Sequence, residues 1–155
     1  MEQEHLVYMD NCCYNRLFDN REVFRNYVER DAVRYILLNK VMHNMKIIGS
    51  DMLVLEMLKN PDKEKKYAVW DTYISYCDVM IWINKEIINR AKEIVHISDI
   101  KERDAVHIAA AEAVGAKLLF TTDEKLRKNA NRITINTTVI NPIAWLKEEM
   151  RKWKC

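Results

Sequence analysis

The sequence predicts an α/β fold, a parallel sheet of four to five strands with helices on both faces, the three-layer α/β/α class. Three observations carry that expectation. Short apolar runs alternate along the chain with stretches of helical spacing. The runs are nearly continuous in their apolar character, as strands buried on both faces are. No linker, internal repeat or low-complexity stretch divides the 155 residues, so one domain spanning 1–155 is expected.

The elements follow in order. His5 to Met9 is a short apolar run ending at Asp10, which reads as a buried strand. After a polar turn, Arg25 to Asn44 carries helical spacing through Tyr27, Val28, Ala32, Tyr35, Ile36, Leu38 and Val41. Lys46 to Ile48 is a second strand that stops at Gly49, and Ser50 is the N-cap expected for a helix through Met52, Leu53, Leu55 and Leu58. Asn60-Pro61-Asp62 ends that helix. Tyr67 to Tyr76 reads as helix, Asp78 to Ile83 as a third strand, and Asn84 as the cap of a helix through Ile94. A further helix runs from about Ile100 to Val114 and stops at Gly115. Ala116 to Phe120 is a fourth strand, followed by Thr121-Thr122-Asp123 and a short helix. Thr138 to Ile140 is a fifth strand, and Asn141-Pro142 opens a last helix from Ile143 to Trp153.

Composition removes several classes of function. The chain has only two glycines, Gly49 and Gly115, so neither a Walker A loop nor a GxGxxG turn nor a GxSxG elbow can be written. The four histidines and four cysteines form no HExxH and no zinc-knuckle spacing. The adjacent Cys12 and Cys13 are a poor disulfide pair. The opening MEQEHLVYMD lacks a basic stretch leading into a long apolar one, and no apolar run reaches the ~20 residues of a membrane span. A reducing cytoplasm with free thiols is the expected compartment.

Right-handed crossovers put the carboxyl ends of all strands along one edge of such a sheet, where ligands bind. Asp10 follows strand one there, and Asp123 follows strand four. Asp104 shares a helix side with Ile100, His107, Ile108 and Ala111, the stripe that faces a core or a cleft. Glu56 lies in the most apolar helix of the chain, on the side of Met52 and Leu53. A carboxylate in either stripe is costly unless it is paired or binds a metal. Converging carboxylates raise one another's pKa unless a cation intervenes, and oxygen-only sites select hard divalent ions such as Mg²⁺ or Mn²⁺. The expected chemistry is metal-assisted phosphodiester hydrolysis.

The run VYMDNCCYNRLFD, the helix acid of SDMLVLE, the segment RDAVHIAAAEAVGAKLLFTTD and the closing TVINP resemble the PIN-domain family. The resemblance covers essentially the whole chain. It implies the sheet order 3-2-1-4-5 and a metal-dependent ribonuclease acting on single-stranded RNA. It further implies Mg²⁺ or Mn²⁺ held by Asp10, Glu56, Asp104 and Asp123, the four acids already singled out. Many small bacterial members are toxins paired with an antitoxin protein, and many are homodimers. The family often has a further acid a few residues after the strand-four aspartate; this chain departs from that pattern, with Glu124 adjacent and Lys125 and Leu126 next. His107 fits the family pattern and is expected to pack and hydrogen-bond within the helix layer.

Candidate substrate-binding residues are Asn11, Arg16, Thr121, Thr122 and Lys125. The net charge is only +2, but without the four clustered acids it becomes +6, and the stretch from Glu124 to Cys155 alone carries +5. An acidic pit rimmed by cations suits a phosphate backbone bridged by a metal. The alternative is a PIN domain without catalysis that binds RNA or protein. A haloacid-type phosphatase is excluded because its D-x-D would require an aspartate where Cys12 stands.

Overall fold

Strand β1 (His5–Met9) lies at the centre of the fold. Val7, Tyr8 and Met9 are all fully buried, so both faces of the strand are covered. In the computed structural model, which describes residues 3–20 and 22–153, it pairs in parallel with β2 (Met45–Ser50) on one side and β4 (Leu118–Phe120) on the other. Strands β3 (Val79–Ile81) and β5 (Thr138–Ile140) complete a sheet of five parallel strands in the order β3-β2-β1-β4-β5. That is the order the family resemblance implied.

The crossovers are helical. Helices α1 (Asn11–Arg16) and α2 (Phe24–Asn39) link β1 to β2, and α3 (Asp51–Leu58) and α4 (Lys63–Tyr76) link β2 to β3. Helices α5 (Lys85–Ile97) and α6 (Glu102–Ala113) precede β4, α7 (Glu124–Ala130) precedes β5, and α8 (Pro142–Lys152) closes the chain. Helix α2 packs on α1 and α8, while α5 and α6 pack as a pair with α6 against β4. Side-chain caps start most of these helices. Ser50, Asn84 and Asn141 accept the backbone N–H groups of Leu53, Ile87 and Ile143, as their positions in the sequence predicted. Gly115 takes φ +72° at the end of α6, the left-handed conformation expected of a residue that stops a helix.

Two expectations need correction. The polar turn after Asp10 is the short helix α1, started by the Asp10 carboxylate accepting from Asn11 N–H. The helix expected to reach Asn44 ends at Asn39, and the chain turns through a left-handed Asn44 at φ 56°. Leu38 and Val41, whose spacing suggested a longer helix, face outward and leave 63% and 84% of their surface exposed.

Gly49 is required by proximity. A Cβ placed there would come within 2.0 Å of the Tyr73 hydroxyl and 2.6 Å of its ring carbon. Tyr73 is itself buried and stacked with Trp70, so it cannot retreat. Gly49→Ala is therefore expected to cost about 1–3 kcal/mol in overpacking. Denaturant titration checks this, and Tyr73→Leu in the same protein should recover part of the loss.

The α5–α6 pair is tied by Arg90, whose Nε and Nη2 donate to both oxygens of Glu112 at 2.8 and 3.2 Å. Burial pushes the Glu112 carboxyl up, but the Arg90 guanidinium and the Asn136 N–H outweigh it and hold it below its ordinary value. A carboxyl depressed by folding contributes stability at neutral pH that is lost as pH falls through its folded value. Glu112→Gln should thus flatten the acid limb of a thermal-stability profile and leave its shape above pH 7 unchanged.

Candidate functional site

The chain runs from β1 outward to β2 and β3, then returns to the other side of β1 for β4 and β5. The switch point therefore lies between the carboxyl ends of β1 and β4, where open parallel sheets place their ligands. Asp10 stands at the first of these ends, only 7% exposed, with its N–H donating to the Phe120 carbonyl of β4. Thr121 to Asp123 follow the second.

The Asp10 carboxylate is held from two sides. One oxygen accepts from Asn11 N–H at 2.8 Å. The other accepts from the Thr121 hydroxyl at 3.2 Å and lies 3.5 Å from the Cys12 thiol. The Thr121 hydroxyl oxygen in turn accepts from Asp123 N–H at 3.1 Å. Thr121 thus couples the first acid to the loop that carries the last.

Glu56, on α3, and His107, on α6, reach the same place. One oxygen or nitrogen from each of Asp10, Glu56 and His107 lies within 4.8 Å of the others, a spacing that could hold a metal ion. Both ring nitrogens of His107 already have partners. Nε2 lies 2.7 Å from Glu56 Oε1, and Nδ1 lies 2.6 Å from the Tyr8 hydroxyl. The imidazole stands behind Glu56 and bonds to the sheet and to α3, where the sequence led us to expect bonds within the helix layer. Burial would lower its pKa, but the Glu56 carboxylate, helped by Asp10 and Asp104, raises it.

Asp104 lies one turn before His107 on α6. Among the described residues, no hydrogen bond or ion pair reaches its carboxylate. Burial and the Asp10 carboxylate push its carboxyl up to about 6, against a lowering pull from His107 and with further raising by Asp123 and Glu56. All four acids are therefore felt at one position, and the Asp104 carboxylate has no direct hydrogen-bond or ion-pair partner among the described residues. Asp104 and Asp123 stand outside the metal-spaced group of Asp10, Glu56 and His107. A hard divalent cation held by that group would relieve the repulsion that raises the Asp104 carboxyl.

Asp123 is exposed and caps α7 by accepting from Leu126 N–H. It shares a cleft of about 170 Å³ with Asp104, Arg103 and the exposed Lys125. Arg16 is more committed than its sequence position suggested. Its guanidinium pairs with Asp19 at 2.8 Å and Glu29 at 2.9 Å and approaches the Thr122 hydroxyl at 3.4 Å. Thr122 is buried, and the Asn11 side-chain oxygen is buried without a hydrogen-bond partner among the described residues. Glu124 turns away to Arg127 and Arg25, and the Arg127 guanidinium holds its carboxyl below the usual range.

Two residues here escaped sequence reasoning. Cys12 packs its sulfur against Asp10 and Thr121 and accepts from Thr122 N–H at 3.2 Å. Glu29, fully buried on α2, gathers Arg16, Arg25 at 3.3 Å and the Asn141 amide at 2.7 Å beneath the Thr122 loop. Glu29 lies one and two turns before Val33 and Ile36, on the buried face of α2.

Residues 21–132 match the PIN domain family model. The chain belongs to the PIN-domain family. Glu56, Asp104 and Asp123 of this PIN domain fall inside the matched stretch, and Asp10 precedes it. Solved structures share the fold at low identity. VapBC2 of Rickettsia felis, bound to a DNA fragment from its promoter, is 18% identical with a TM-score of 0.58, over 88% of this chain and 98% of that one. VapC20 of Mycobacterium tuberculosis, a sarcin-ricin loop cleaving toxin, is 12% identical with a TM-score of 0.60, over 85% and 98%. A toxin–antitoxin complex from Klebsiella pneumoniae is 18% identical with a TM-score of 0.55, over 88% and 97%. No curated protein sequence matches this PIN domain.

Proposed function

We propose that this PIN domain is a metal-dependent endoribonuclease that hydrolyses phosphodiester bonds of single-stranded RNA. The observation that supports the reading most strongly is Asp104. It is a half-buried carboxylate, pushed up by burial and by Asp10, with no hydrogen-bond or ion-pair partner among the described residues, in a cleft shared with Asp123, Arg103 and Lys125. In this reading Asp10, Glu56 and Asp104 hold a Mg²⁺ or Mn²⁺ ion, with Asp123 across the cleft. Such an ion would supply charge stabilisation at a phosphoryl oxygen and make water a better nucleophile at neutral pH.

The chain's own groups do the rest. Asn11 N–H and Thr121 fix the direction of the Asp10 carboxylate. His107 fixes that of Glu56. Lys125 and Arg103, both exposed at the cleft, offer contacts to RNA phosphates. Arg16 and Thr122 set the loop that brings Asp123 to the edge.

The experiment is cleavage of a labelled single-stranded RNA with Mn²⁺, with and without a chelator. We expect cleavage that the chelator stops and that Asp104→Asn abolishes while the circular dichroism spectrum is unchanged. A wild type that binds RNA without cutting it, and takes up no Mn²⁺ at millimolar concentration in calorimetry, would instead be a binding module.

The same reading extends to partners. The toxin–antitoxin proteins among the structural neighbours support an antitoxin for this chain. A groove of about 300 Å³ lined by Leu17, Phe18, Leu37 and Tyr76, with Arg30 and the exposed Arg34 also in its lining, suits an amphipathic segment bearing acids. The exposed Met80 and Trp82 at the β3 edge support pairing of two copies as a homodimer. Analytical ultracentrifugation of wild type against Trp82→Ser checks the second point.

A further inference from the structure

A closed ring of hydrogen bonds lies beneath the acids. It starts on α3, where Leu53 N–H donates to the Ser50 hydroxyl oxygen at 3.2 Å. Ser50 Oγ meets Tyr8 Oη at 2.7 Å, Tyr8 Oη meets His107 Nδ1 at 2.6 Å, and His107 Nε2 returns to α3 at Glu56 Oε1, 2.7 Å away. Ser50, Tyr8 and His107 are buried to within 1%. Such a ring is costly to bury unless every member is satisfied, and here each has its neighbour.

The ring members share elements with the acids. Tyr8 precedes Asp10 by two residues, the strand period, so the two lie on one side of β1. His107 follows Asp104 by three, so both stand on one face of α6. Ser50 caps the helix that carries Glu56, and Glu56 is itself a link. The ring therefore latches together the three elements that present Asp10, Glu56 and Asp104, with both His107 ring nitrogens already engaged by Glu56 and Tyr8.

We infer that Tyr8, Ser50 and His107 are positioning residues that set the spacing of Asp10, Glu56 and Asp104 by locking β1, α3 and α6 in one register. This rests on the metal-dependent reading given above. Groups that orient metal-binding carboxylates commonly carry 10- to 100-fold in affinity although they never touch the ion.

The test uses the whole chain. Tyr8→Phe keeps the ring packing and removes the oxygen that joins Ser50 to His107. His107→Gln puts an amide donor where Nε2 stood, whereas His107→Asn falls short of Glu56. Mn²⁺ affinity is measured by calorimetry, and kcat and KM are measured separately with single-stranded RNA. We expect Mn²⁺ affinity to fall about 10- to 100-fold in Tyr8→Phe and His107→Asn, and less in His107→Gln. In each, kcat should fall while KM for RNA stays near wild type.

Variants that unfold at lower temperature yet bind Mn²⁺ within twofold of wild type would make the ring a purely structural cluster and overturn the inference. His107→Gln no better than His107→Asn would also overturn the link to Glu56. A wild type that binds no Mn²⁺ is a different result, since it removes the nuclease reading itself, and the positioning role with it.

Discussion

Asp10→Asn is expected to abolish Mn²⁺ binding and RNA cleavage together, each by more than about 100-fold, the upper end of what outer partners of a metal carry, while the fold is retained. Asparagine has nearly the shape of aspartate. Its carbonyl oxygen can still accept from Asn11 N–H and start α1, so the local backbone is preserved. What disappears is the charge at the switch point between β1 and β4, at a position only 7% exposed. A ligand removed outright should cost at least as much as the outer partners do. Calorimetry with Mn²⁺ and gel assays with single-stranded RNA give the answer, with circular dichroism as control. Wild-type Mn²⁺ affinity in Asp10→Asn would show that the cation, if any, binds elsewhere.

The largest expected effect on stability lies away from those acids. Glu29 is fully buried and neutralises two guanidinium groups, Arg16 at 2.9 Å and Arg25 at 3.3 Å, while accepting from Asn141 at 2.7 Å. Arg25 is half exposed and keeps Glu124, and Arg16 keeps Asp19, so losing Glu29 costs the hydrogen bonds to a buried charge rather than a whole uncompensated pair, about 1.5–3 kcal/mol. Glu29→Ala should therefore lower Tm by roughly 3–12 °C at the usual sensitivity for a chain of this size. Arg25 also donates to the Thr122 carbonyl at 2.8 Å, so the loop before Asp123 should loosen as well. Glu29→Leu is the informative companion. It restores volume but not charge, and it should be nearly as damaging, because the arginines rather than a cavity carry the loss. A Tm unchanged within two degrees in both variants would show that solvent reaches the arginines.

Much of the architecture was legible in the sequence, for local reasons. The strand His5–Met9, the caps Ser50, Asn84 and Asn141, and the stop at Gly115 each depend on side chains within a few residues of the backbone they serve. Failures came where distant partners decide. The NCCYNR stretch has no helical stripe of its own, and α1 forms because Asp10 caps it and Cys13 and Tyr14 find the core. Leu38 and Val41 kept a helical period that the fold spends on solvent. For the candidate site, the convergence of Glu56 on Asp10 followed from an acid in an apolar stripe. The bonds of His107 did not, since Tyr8 lies 99 residues away in the chain and Glu56 lies 51 away. Nothing in the pattern around Glu29 named Arg16 or Asn141 as its companions.

The neighbour that β1 acquires through Val7 and Leu118 is made more than a hundred residues later on the ribosome. Until β4 emerges, the first strand has one open flank and Asp10 has no Thr121 to lean on. Pairings this distant in sequence form late and slowly. If the acids cut RNA, cleavage cannot begin until β4 and Thr121 have been made and have joined β1.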